Sequence, residues 1–292
     1  MAVISTGFLA TAEYAGAIDT YTVGDAASGI ASSRHNLGAT GFFTITSNTT
    51  EICVFCHTPH HANRDGGIKP LWNRFSANSA AFVAYGPTMA DELITGSVIG
   101  SSSLACLSCH DGIVTFDSLI NAPGKAGVTQ TGTDRGWDFY DFSGRTADYI
   151  TDPSLSIGRD LSNDHPISVP YNEFTAGLRP MDTIISDIDL ADGLNVGALQ
   201  FGSGNLDRNL WAVMGYISDE ATIRDLLRVT DGQLRVECAS CHDPHFNNKS
   251  WTEVDYTYGE GVQNQRFETN GLFLRRVGGN SASGLCRTCH NK

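Results

Sequence analysis

Cysteine placement constrains this chain more than any other feature. All eight cysteines fall into four copies of one five-residue pattern: Cys53-Val-Phe-Cys56-His57, Cys106-Leu-Ser-Cys109-His110, Cys238-Ala-Ser-Cys241-His242 and Cys286-Arg-Thr-Cys289-His290. In shuffled sequence of this composition one such motif would arise roughly 0.01 times, so four are not accidental. CxxCH is the covalent attachment signature of c-type haem. The spacing has a physical reason. On one helical turn, positions i and i+3 present both sulfurs along the edge of a flat macrocycle, for thioethers to its two vinyl groups. Position i+4 then brings an imidazole over the face, where it meets the iron.

Two other chemistries use CxxC pairs. Structural zinc would need two sites of four cysteines. It leaves unexplained why a histidine follows every second cysteine in a chain with only nine histidines. Disulfides within CxxC suggest redox exchange, but four copies without a thioredoxin-like βαβ pattern fit that poorly. Haem is therefore the expected cofactor, as four covalently bound haem c groups. Covalent attachment of haem takes place outside the cytoplasmic membrane. The N-terminal stretch has no Lys or Arg before Arg34, hence no charged n-region of a signal peptide. A processed, exported chain is expected, extracellular or at the cell surface, with the periplasm as the alternative.

The remaining histidines bear on the iron chemistry. His57, His110, His242 and His290 are the proximal ligands, which leaves His35, His60, His61, His165 and His245. Methionine is the alternative sixth ligand, but Met1, Met89, Met181 and Met214 stand in no recurrent relation to the motifs. Bis-histidine ligation throughout is the economical reading, and it implies lower reduction potentials than His/Met ligation. Six-coordinate irons leave no open position for a substrate, so the chain is read as not an enzyme. His60 and His245 repeat one pattern, CxxCHxPH. A histidine three residues after the proximal ligand cannot cross the porphyrin plane to the same iron, but it can reach a second haem stacked alongside. Phe246 occupies the place of His61, which makes His61 the spare. His165, in Leu-Ser-Asn-Asp-His-Pro, lies in a polar turn segment and is a candidate ligand. His35 precedes every motif, and the residues alone do not name its iron.

Motif order suggests duplication, because a CxxCHxPH is followed by a plain CxxCH after 53 residues and again after 48. The expected organisation is a single tetrahaem unit over 1–292, or two haem pairs: 1–120 with the first two haems, 121–230 as a long connection, and 231–292 with the last two. Residues 121–172 are rich in Gly, Asp, Thr and Pro and read as turns. The clearest helix is expected at 218–228. Ser218 would cap it, Asp219 and Glu220 suit its first turn, and Ile223, Leu226 and Leu227 share a face. Short strands are expected at 41–47, 250–258 and 271–277. The fold class is thus a multihaem cytochrome c. It would be mostly irregular coil, with short helices at the CxxCH motifs and a few short β-strands, organised around a haem stack that replaces much of an ordinary core.

Charge excludes some functions. With 32 acidic against 19 basic side chains and a net charge of −13, the chain is unsuited to nucleic acid, whose binding depends on Lys and Arg. No run approaches the ~20 apolar residues of a transmembrane helix. The acidic run from Asp187 to Gly193 approaches a calcium loop, but Ala198 stands where the bidentate Glu belongs, so a solvated loop is the reading. Asn48 and Asn248 open formal glycosylation sequons.

The segments 53–60, 105–112, 161–166 and 237–245 resemble multihaem c-type cytochromes of metal-respiring prokaryotes. By motif order and by His35 they resemble most the tetrahaem subunits of extracellular cytochrome filaments (nanowires), of the OmcE type. The resemblance implies bis-histidine ligation of every haem, identical subunits in a head-to-tail filament, and one ligand per subunit donated across the interface. If His60, His165 and His245 serve three irons, His35 remains. The Ala/Ser/Gly-rich stretch before it could act as an arm reaching a neighbour's haem. The expected function is electron transfer along four bis-His haems, as a filament subunit passing electrons to external acceptors. The alternative is a monomeric periplasmic tetrahaem shuttle, whose acidic surface steers it to basic redox partners.

Overall fold

The computed structural model describes residues 30–33, 35–38, 40, 50–63, 71–75, 77–84, 98–116, 118–121, 149–153, 155–162, 167–188, 200–201, 204–205, 211–213, 216–218, 220–245, 273–276, 280 and 283–291. Outside them lie His165, Phe246, both sequons, most of 121–148 and the segments 41–47 and 250–258 expected as strands. No helix among the described residues is long and apolar enough to cross a membrane.

The chain forms two compact units, neither of which coincides with an expected haem pair. The first comprises Arg34–Asn172 and Leu226–Ser240, the second Met1–Ser33, Glu173–Asp225 and Cys241–Lys292. The middle of the chain is divided between them rather than standing alone.

In the first unit, helix α1 (Ser101–His110) starts as extended backbone at Gly100 turns helical. Leu104 and Leu107, three residues apart, share its inner face and join Phe82, Ile99, Leu161 and Ile167 in one core. Burial of each such side chain stabilises the fold by about 1.5–3 kcal/mol. A three-stranded antiparallel sheet, ordered β1-β7-β6, completes the unit from β1 (Val169–Pro170), β6 (Arg228–Thr230) and β7 (Gln233–Val236). Thr230 pairs with Gln233 across Asp231-Gly232, which take φ of 51° and 73°. Two positive φ angles in a two-residue loop are the twist-matched hairpin turn that an Asp-Gly pair favours.

The second unit holds two short hairpins, β2 (Gln200–Phe201) with β3 (Gly204–Asn205) and β4 (Trp211–Val213) with β5 (Tyr216–Ser218). Trp211, Ile223 and Arg276 are fully buried in it. At 273–276 the expected strand is reduced to single bridges, His242 to Leu274 and Trp211 to Arg276.

The helix expected over 218–228 is a correction. Only Ile223–Leu226 is helical (α2). Ser218 ends β5, and Arg228 opens β6. The start signal is Thr222, not Ser218: the Asp225 carboxylate accepts both the backbone N–H and the hydroxyl of Thr222, each at 2.8 Å. The β-branched Val229 and Thr230 and the Asp-Gly turn then draw the chain into the sheet. Ile223, Leu226 and Leu227 are buried as the apolar face requires.

Candidate functional site

The four CxxCH motifs adopt one local idea in different lengths. Cys53–Phe55 is a single 3-10 turn. The second motif is the C-terminal half of α1, the third is the four-residue helix α3 (Cys238–Cys241), and the fourth lies in α4 (Gly284–Cys289). Each turn sets its two cysteines three apart. The histidine N–H closes the turn at the first motif, on Cys53 O at 2.7 Å, and at the fourth, on Cys286 O at 2.9 Å.

A segment unmarked by sequence reasoning, Leu71 to Arg74, braces the first two motifs. Thr58 N–H donates to Leu71 O and Asn73 N–H to Cys56 O, at 2.9 and 2.8 Å. The Trp72 ring stands edge-on to His57 with centroids 5.5 Å apart. Asn73 Nδ2 donates to Val54 O and Asn121 O, at 2.7 and 2.8 Å. Arg74 is fully buried. Its guanidinium donates to Ser108 O (3.0 Å from Nη2), Thr115 O (2.6 Å) and Phe116 O (2.9 Å). A cation on the last carbonyls of a helix offsets the dipole and satisfies acceptors that α1 leaves open. Nothing in the sequence signals this, because an Arg bonded wholly to carbonyls has no charged partner to find.

His110 is held from afar: its Nδ1 lies 2.8 Å from Leu155 O. That carbonyl fixes the proton on Nδ1 and leaves Nε2 as the lone-pair nitrogen, the arrangement of metal-ligating histidines. Burial holds the His110 pKa below its ordinary value, which favours the neutral, ligating form. His35 lies in the same unit, with its ring centroid 6.2 Å from that of His110 and the planes at 87°. Next to His110, Asp111 caps the turn by accepting from Ile113 and Val114 N–H, and it pairs with Arg159 at 3.2 Å.

At the third motif the histidine pattern is braced locally. Asp243 Oδ1 accepts the backbone N–H of His245 at 3.0 Å and sits 3.0 Å from its Nδ1. Arg275 Nη1 reaches Asp243 Oδ2 at 3.1 Å. Burial by itself would raise the Asp243 carboxyl, but the His245 bond and the Arg275 charge outweigh it and hold the pKa below the ordinary value. The His245 ring is exposed, with Nδ1 beside the Asp243 carboxylate. In the first motif the CxxCHxPH turn is closed by Thr58 Oγ1 donating to His60 O at 3.0 Å. His60 and His61 are both exposed.

The cysteines relate the motifs to one another. Within the first unit Cys56 lies close enough to Cys109, and Cys106 to Cys238, for their charges to interact. Within the second unit Cys289 and Cys241 are neighbours in the same sense. Burial pushes the Cys56 and Cys289 thiols up to about 12. Thiols so placed are poor nucleophiles and poor thiolate ligands. An uncharged thioether sulfur, by contrast, suits an apolar setting. No disulfide joins any two of the eight cysteines. Among the described residues, no group of three or more His, Cys, Asp or Glu is placed to hold a metal ion.

No protein-family model matches this chain, and no curated protein matches it.

Proposed function

We propose that the chain is an electron-transfer protein holding four covalent haem c groups, and that it serves as a subunit of an extracellular conducting filament. The observation that carries the reading is the set of four CxxCH motifs, which takes up all eight cysteines; within the first unit Cys56 neighbours Cys109 and Cys106 neighbours Cys238, and within the second Cys241 neighbours Cys289. Electron transfer falls steeply with distance, so a serial arrangement of redox groups is what conduction needs.

The sulfurs of Cys53, Cys56, Cys106, Cys109, Cys238, Cys241, Cys286 and Cys289 would anchor the groups. His57, His110, His242 and His290 would be the fifth ligands, and His35, His60, His165 and His245 the sixth. Haem c, when bound, supplies a reversible one-electron iron couple. The chain's own residues set its environment. The Leu155 carbonyl and the Asp243 carboxylate orient His110 and His245 and raise their basicity as ligands. Imidazole on both faces lowers the potential relative to His/Met ligation and leaves no position for a substrate.

Filament assembly rests on the resemblance in motif order. Negative-stain microscopy of the native preparation tests it: filaments that carry current when dried across electrodes are expected. Monodisperse particles would favour the soluble shuttle, for which the charge of −13 is the supporting observation.

A further inference from the structure

We propose that His35 is the sixth ligand of the iron whose fifth ligand is His110 of the same chain, so that this haem is complete within one subunit. The inference rests on the haem reading of the motifs and goes beyond it by assigning one axial pair. A first-row metal–imidazole bond is about 2 Å long, and the ring centre lies about 1 Å behind the bonding nitrogen. Two imidazoles on opposite faces of one iron therefore hold their centroids about 6 Å apart. The observed separation is 6.2 Å.

An ordinary edge-to-face contact covers a wide range that includes this distance, so the surroundings must decide. His110 Nδ1 is already engaged by Leu155 O at 2.8 Å, which reserves Nε2 for a metal. His110 follows Cys109 directly, and the His35 ring stands at the separation that an opposing ligand would have.

Described residues on both sides of His35 form local turns. Ile30–Ser32 is a 3-10 turn, with Ser33 N–H and Oγ both donating to Ile30 O at 3.1 and 2.8 Å. On its other side Asn36 is buried, donates to Thr40 Oγ1 at 3.2 Å and accepts from Gly38 N–H at 3.3 Å. Within its own unit His35 lies beside His110 of its own chain's second motif. A ligand crossing to a neighbouring subunit, as the resemblance implies, must then come from another histidine.

The rings are nearly perpendicular, at 87°. Perpendicular imidazole planes leave the iron d orbitals nearly degenerate and give a highly anisotropic low-spin EPR signal. Oxidised holoprotein kept as monomers should show this signal at full strength. His35→Ala should abolish it, convert one haem of the four to high spin in monomers and assemblies alike, and regain low spin with added imidazole. A Cys106→Ser/Cys109→Ser background, which would lack this haem, should show no further change on adding His35→Ala. Should His35→Ala fold poorly, His35→Met keeps a ligand and should raise the potential of one haem only.

The proposal is overturned if His35→Ala stays wholly low-spin. It is also overturned if wild-type monomers hold a high-spin haem that is missing from the Cys106→Ser/Cys109→Ser background and becomes low-spin only on assembly. Intact mass separates the two levels of argument. Four added haems in His35→Ala leave the haem reading standing whatever the spin state, while their absence from wild type removes that reading itself.

Discussion

The second and third CxxCH motifs share their Ser at the third position and an Asp after the histidine, yet the two Asp residues and the two histidines are held differently. The second rides on a ten-residue helix. Its end is fixed by chain far away: Arg74, 34 residues before Ser108, and Leu155, 45 residues after His110. The third is a four-residue turn of helix held by its own continuation, Asp243-Pro244-His245, and also by distant chain: Cys238 N–H donates to Ser103 Oγ, Arg228 to Ala239 O and Arg275 N–H to Cys241 O. Asp111 and Asp243 make the difference visible. The first caps backbone N–H groups and meets Arg159, whereas the second orients a histidine. A shared signature thus fixes the turn and leaves the bracing to residues outside it.

If bracing from afar governs the second motif, its removal should have the largest effect. Arg74→Met leaves one buried and two partly buried carbonyls without their donor, and a loss of about 3–5 kcal/mol is expected in denaturant unfolding of the holoprotein. The same experiment on Asp243→Asn, which keeps one acceptor oxygen and turns the other into a donor, should cost about 1–3 kcal/mol. It should also perturb the spectrum of only the haem that His245 serves. Equal costs would remove the distinction between the two motifs.

A third variant sharpens the comparison at the point where α1 meets the sheet. Glu237 accepts hydrogen bonds from Ser103, Ser168 and Thr230, and burial raises its pKa despite them. The folded protein therefore binds this proton more tightly than the unfolded chain. The contribution is fully present below the ordinary carboxylate pKa and is lost as pH rises through the raised one. Glu237→Gln should gain stability relative to wild type across that window, read from paired unfolding curves at several pH values. A difference independent of pH would mean that Glu237 does not titrate there. The smallest effect is expected at His61, which is exposed with φ of 55°. His61→Gly relieves that conformation, should stabilise by at most about 1 kcal/mol, and should leave every haem band unchanged.

What could be read in advance follows from whether the signal is local. The CxxCH spacing and the buried face of Ile223, Leu226 and Leu227 are local patterns, and the structure sets both as turns or faces of the expected kind. The Asp231-Gly232 hairpin was equally local, yet the helical periodicity running through 218–228 masked it. Arg74 and the Leu155 carbonyl are different. Their roles depend on contacts across tens of residues, with backbone atoms that every residue carries, and no composition marks them. The two-unit division was hidden for the same reason, since it interleaves segments far apart in the chain.

Denaturing intact-mass spectrometry of the native protein tests the central claim most directly, after acid–organic extraction has removed any non-covalent haem. The polypeptide of 31.3 kDa should appear heavier by four haems, about 0.6 kDa each. A mass equal to the bare polypeptide, or one explained by disulfides or zinc alone, would contradict the account.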